Sequence, residues 1–129
     1  MILLLSDDLI DASKTTAVAR TAGIPIVQFK SPEGLLQALK TLIPNCIILD
    51  LQCPGLSLTD MFAPLKNRAQ PAVIAYGSHV DAARLKAARE AGCDPVMPRS
   101  KYFDSIPEII GTIFPSPSHD PPINGPTTS

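Results

Sequence analysis

Residues 46–55 read Cys46-Ile47-Ile48-Leu49-Asp50-Leu51-Gln52-Cys53-Pro54-Gly55, four apolar residues that run straight into a carboxylate before the chain breaks at Pro54-Gly55. A short, continuous apolar run of this kind fits a strand covered on both faces, as a parallel sheet requires. Its last residue has two readings. Asp50 can simply begin a turn, which aspartate favours, or the strand can exist to hold a carboxylate over a reactive edge.

Outward from this strand, short apolar runs alternate with longer segments of helical period. Residues 2–5 and 24–29 are predicted as the first two strands, with a helix over 9–22 between them that stops at Gly23. Ser31-Pro32-Glu33 opens a second helix as N-cap, first-turn proline and dipole-favoured acid, and Leu35, Leu36, Leu39 and Leu42 line one side of it. After the central strand, Asp60 or a residue nearby is expected to cap a helix ending near Arg68. Residues 72–76 form the fourth strand. Ser78 and Asp81 resemble a capping box, with Val80, Ala83, Ala87 and Ala91 on one stripe until Gly92. Val96-Met97 is a minimal fifth strand, and Ile106, Ile109, Ile110 and Ile113 mark a last amphipathic helix. Five strands alternating with five helices predict an α/β fold: a single doubly wound, flavodoxin-like parallel sheet of order 2-1-3-4-5.

Composition narrows the class further. The chain has 129 residues, 45% hydrophobic and 18% charged, with a net charge of −1. That suits one domain with one good core and argues against a nucleic-acid or membrane-surface binder, which would carry a basic excess. The three cysteines lack CxxC spacing and read as reduced, packed thiols. The apolar start is too short for a signal peptide or a membrane span, so a cytoplasmic protein is expected. Residues 115–129 hold five prolines and almost no large apolar group, giving a domain over 1–114 and a flexible tail.

In such a sheet, ligands sit at the carboxyl ends of the strands. Ser6, Asp7 and Asp8 follow the first strand, Asp50 ends the third, residues 76–79 follow the fourth, and Arg99 and Lys101 follow the fifth. Clustered carboxylates repel, and a hard cation such as Mg²⁺ relieves that repulsion while leaving room for a phosphate oxygen. A cation-bound carboxylate facing a guanidinium suits phosphoryl transfer, which positioning and charge neutralisation mainly drive. Plainer roles exist for each residue. Asp7 and Asp8 can cap the first helix, Arg99 can snorkel over the last strand, and His79 can be a solvated first-turn residue. No G-x-S-x-G elbow and no G-x-G-x-x-G follow a strand, which disfavours hydrolase and dinucleotide readings.

The order of elements, the acids at 7 and 8, the stretch Ile47-Ile48-Leu49-Asp50-Leu51-Gln52-Cys53-Pro54-Gly55 and residues 87–99 together resemble the response-regulator receiver domain. The resemblance spans about 2–114. It implies that Asp50 is the position phosphorylated by a histidine kinase and that Asp7, Asp8, Asp50 and the Gln52 carbonyl are the metal ligands for Mg²⁺. By spacing, the family's acid pair falls best on Ser6 and Asp7, with Asp8 one place beyond. Pro54 matches the proline of the family's turn, with Cys53 in place of methionine. The family's switch hydroxyl falls on Tyr76 or Gly77, with Ser78 just beyond, and its strand-five lysine is Arg99. These departures mark an atypical receiver.

The reading adopted is a stand-alone, receiver-like signalling module that acts through protein contacts, with a histidine kinase, another protein or a second copy through the last two helices as partner. The alternatives are a working Mg²⁺-dependent phosphoacceptor of a two-component relay and, more remotely, a small-molecule enzyme on the same fold. No nucleic acid and no membrane are expected as partners, and no cofactor other than Mg²⁺.

Overall fold

The computed structural model describes residues 1–66 and 71–115. Five strands, β1 (Ile2–Leu5), β2 (Ile26–Phe29), β3 (Cys46–Asp50), β4 (Ala72–Gly77) and β5 (Val96–Pro98), form one sheet in the order β2-β1-β3-β4-β5. All pairings are parallel, and the central register sets Leu5 beside Leu49 and Asp50 beside Tyr76. The helices are α1 (Leu9–Thr21), α2 (Pro32–Ala38), α3 (Leu58–Phe62), α4 (Ala82–Ala91) and α5 (Arg99–Ile113), with a 3-10 turn at Ala63–Leu65. The predicted class and strand order are the observed ones.

Alternation along β1, β3 and β4 divides the core into two layers. Leu3, Leu5, Ile47, Leu49, Val73 and Ala75 face Leu35 of α2, Met61 of α3, and Leu85 and Ala88 of α4. Ile2, Leu4, Cys46, Ile48, Ile74 and Tyr76 face Ala12 and Ala19 of α1 and Tyr102, Ile106 and Ile110 of α5. By the same period of two, Ser6 and Asp50 belong to the α1/α5 side.

The differences from the sequence reading lie at element ends: β2 starts at Ile26 rather than at 24, and α2 stops at Ala38, leaving Leu39 and Leu42 beyond it. Ser31 caps α2 as expected, its Oγ accepting from the Gly34 N–H. α3 is capped by Ser57, whose Oγ accepts from the Asp60 N–H, so Asp60 is the first-turn acid and not the cap. The expected end of that helix near Arg68 lies outside the described residues, as do tail residues 116–129. The capping box at Ser78 does not form. Asp81 caps α4 by accepting from the Arg84 N–H, while Ser78 Oγ accepts from Val80 N–H in a local turn. The buried stripe of α4 is Leu85 and Ala88, which pack into the apolar layer, while Val80, Ala83, Ala87 and Ala91 are exposed. Gly92 closes α4 with φ 117°, a left-handed conformation that glycine adopts without strain.

Candidate functional site

β3 includes Asp50 as its last residue, so backbone pairing with β4 fixes this carboxylate at the carboxyl edge of the sheet. Asp50 is 4% exposed and both of its oxygens are engaged. Oδ1 accepts from the Gln52 N–H at 3.0 Å and Oδ2 accepts from the Ser6 hydroxyl at 3.0 Å. Ser6 is fully buried, and its Oγ also accepts from the Asp8 N–H at 3.2 Å. One hydroxyl thus ties the end of β1 and the start of α1 to the central acid.

Asp8 caps α1, its Oδ1 accepting from the N–H groups of Ile10 and Asp11 at 2.9 and 3.0 Å. The hydrogen bond from the Asp11 N–H, foremost among several causes, holds the Asp8 carboxyl below its ordinary value. Asp7 beside it is exposed. The two candidate acids have therefore parted: one serves the helix and the other faces solvent.

The basic group behaves differently again. Arg99, the first residue of α5, lies with Nη2 3.8 Å from Asp8 Oδ2 and donates from the same nitrogen to Asp11 Oδ1. Among the described residues, no lysine or arginine forms an ion pair with Asp50. Asp11 is fully buried, and its second oxygen accepts from the Tyr76 hydroxyl at 3.1 Å. Burial raises the Asp11 carboxyl above its ordinary value, opposed by the Arg99 charge and the Tyr76 hydrogen bond, while Asp8 and Asp50 add repulsion. Tyr76 stacks on Tyr102 with ring centroids 4.3 Å apart and planes 10° from parallel, and Phe103 meets both rings edge-on. Tyr102 completes the set with a 3.0 Å hydrogen bond to Thr15 of α1. Burial pushes both phenols far above their ordinary pKa, so both stay neutral at physiological pH.

The sheet order, the acid at the end of β3 and the helix placement now allow comparison. Neither a family model nor a curated protein matches this sequence. Solved structures do. The signal receiver domain of a response regulator from Bermanella marisrubri superposes with a TM-score of 0.73 at 24% identity, covering 87% of this chain and 95% of the other. A response regulator receiver protein from Burkholderia phymatum gives 0.72 at 23% identity, with 87% and 92% covered. A beryllofluoride-activated NtrC4 receiver-domain dimer gives 0.70 at 17% identity, with 87% and 97% covered. The chain has the receiver-domain fold.

On a receiver fold, Tyr76 and Gly77 both lie at the end of β4, yet their roles differ. Tyr76 faces Asp11 and α5 rather than crowding Asp50 from above. Gly77 is buried against the other layer: a Cβ built there would meet Leu51 Cβ at 3.3 Å and Leu85 Cδ2 at 3.5 Å. Ser78 is spent on its turn, and His79 and Lys101 are exposed. The Leu51 carbonyl, next to Asp50, accepts from Arg84 Nη1 at 2.7 Å, and Arg84 also pairs with Asp81 at 3.3 Å. An open cleft of about 310 Å³ lies beside this contact, lined by Gln52, Cys53, Pro54, Gly55, Asp81 and Arg84.

Among the described residues, no group of three His, Cys, Asp or Glu side chains is placed to hold a metal ion. Of the residues expected to hold Mg²⁺, Asp8 caps α1, Asp7 is exposed, and Asp50 accepts from the Ser6 hydroxyl and the Gln52 N–H. The three cysteines are free and buried, with burial pushing the Cys46 thiol up to about 12 and Cys93 up to about 11. Asp11, Thr15 and Tyr102 are the residues the sequence reading passed over. One signal was available: Asp11, Thr15 and Ala19 recur every four residues, so an acid sits on the buried stripe of α1.

Proposed function

We propose that this chain is a receiver-fold signalling module that works through protein contacts, and that phosphate at Asp50 does not set its shape. The observation that carries the reading is the engagement of Arg99 and Tyr76. The two groups best placed to answer a new charge at Asp50 are both held by Asp11. A switch needs a group that is free to follow the phosphoryl oxygens. Gly77 supplies no side-chain donor, and Ser78 is held in its turn.

The partner surface is the one formed by α4, β5 and α5. A histidine kinase, another protein or a second copy of this chain packing through the last two helices would meet a fixed face there. The dimeric NtrC4 receiver domain gives this fold a precedent for self-association. Among the described residues, no helix is long and apolar enough to cross a membrane.

A second reading keeps Asp50 as a working phosphoacceptor, with Mg²⁺ held by Asp7, Asp8, Asp50 and the Gln52 carbonyl. The placement of Asp50 at the carboxyl edge favours it. It requires Asp8 to leave its cap and Arg99 to leave Asp11. Intact mass together with amide chemical shifts, taken after incubation with acetyl phosphate and Mg²⁺, separates the two. The proposal expects the shifts of residues 80–103 to stay unchanged whether or not a phosphoryl adduct forms; an adduct that disappears in Asp50→Asn and moves those shifts supports the second reading.

A further inference from the structure

We infer that Asp11 is a resident anion: its carboxylate supplies, from inside the chain, the negative charge that Arg99 would otherwise meet only when an external anion arrives. Three elements converge on this one side chain. α1 contributes Asp11 itself, β4 the Tyr76 hydroxyl at 3.1 Å, and α5 the Arg99 guanidinium. Asp11 is fully buried while the Arg99 side chain is 42% exposed, so the guanidinium closes the pocket from the solvent side. A buried carboxylate is tolerated only when paired and hydrogen-bonded, and each Asp11 oxygen has one such partner.

The consequence reaches α5. The Tyr76–Tyr102 stack and the Thr15–Tyr102 hydrogen bond continue from the same point, so Asp11 fixes how the first turns of α5 sit on α1 and β4. Asp11 is a positioning residue in this account. Its influence on Asp50 is the repulsion between the two carboxylates. The inference rests on the proposed function for what the fixed α5 face is used for, and its test needs no phosphate.

The chain has two tyrosines, Tyr76 and Tyr102, and no tryptophan, so the tyrosine near-ultraviolet circular dichroism band reports this stack directly. Asp11→Ala leaves a hole beside a guanidinium and a phenol. We expect that variant to lose most of the tyrosine band and formate to restore it, because formate is the missing carboxylate. Chloride at equal ionic strength should not restore it, and formate should leave the wild type unchanged. The inference is overturned if Asp11→Ala keeps the wild-type band, or if formate restores no more than chloride does. Should Asp11→Ala fail to fold, Asp11→Asn and Arg99→Gln replace it. Loss of the band in both supports the unit, and a wild-type band in Asp11→Asn overturns it. A wild type whose α4 and β5 amide shifts move on phosphorylation by acetyl phosphate would overturn the proposed function and leave this result standing.

Discussion

The two faces of the sheet are built by different means. Toward α2, α3 and α4 the buried layer is apolar throughout, from Leu3 and Leu5 to Leu85 and Ala88. Toward α1 and α5 lie all four buried polar residues among those described, Ser6, Asp11, Thr15 and Asp50, together with both tyrosines. The first face is held by the hydrophobic effect, which is indifferent to direction. The second combines that effect with directional hydrogen bonds, and among the described residues no buried side-chain nitrogen or oxygen lacks a partner. A satisfied polar network fixes geometry more strictly than an apolar layer of similar size. Under the proposed function, this network is what keeps the α5 face in one shape.

The contrast is broken first by stability measurements. Leu3→Ala, on the apolar face, should cost about 2–5 kcal/mol in equilibrium unfolding and leave the tyrosine dichroism unchanged. A change in that band would mean that the faces are mechanically coupled. Asp11→Ala, on the polar face, should cost less, about 1–3 kcal/mol, because the half-exposed Arg99 can take up water while the buried Tyr76 hydroxyl cannot. A cost above that of Leu3→Ala would mean that the ion pair, and not the apolar layer, dominates stability.

Much of this architecture was legible beforehand. The apolar run at 46–49, the Ser31-Pro32 helix start and the Gly92 stop gave the elements and their order, because each rests on local chemistry that tertiary packing did not override. The position of Asp50 was legible for the same reason. The site around it was not. Arg99 was read as a partner for charge at Asp50, since both lie at strand ends, yet it turns to Asp11, which is three residues into α1 and hidden by helix geometry. The alanine stripe of α4 was misplaced because Leu85, the one large apolar side chain of that helix, turns to the core with Ala88, and the other alanines are too small to compete for that face.

Smaller effects sharpen the comparison. Gly77→Ala should cost about 1 kcal/mol, because the new Cβ presses on Leu51 and Leu85 in an already packed layer. A stabilised variant would show that the end of β4 has room for a switch hydroxyl. The pH dependence is smaller still. The Asp11 carboxyl is raised in the folded state, so the native protein binds its proton more tightly than the unfolded chain does. Its contribution to stability is therefore full below the unfolded value, about 3.9, and is lost as pH rises through the raised folded value. Asp8 is lowered and acts oppositely, its contribution being lost only as pH falls through its folded value. Compared with Asp11→Asn, the wild type should thus gain relative stability as the pH is lowered from neutral into the mildly acidic range. Parallel curves of melting temperature against pH would contradict this.

The most direct test uses amide chemical shifts recorded with and without beryllofluoride and Mg²⁺. If Asp11 already holds Arg99 and Tyr76, shifts should stay confined to residues near Asp50 and leave 80–103 almost unchanged. Large shifts spread through α4 and β5 would contradict the account and make this chain a working phosphate switch.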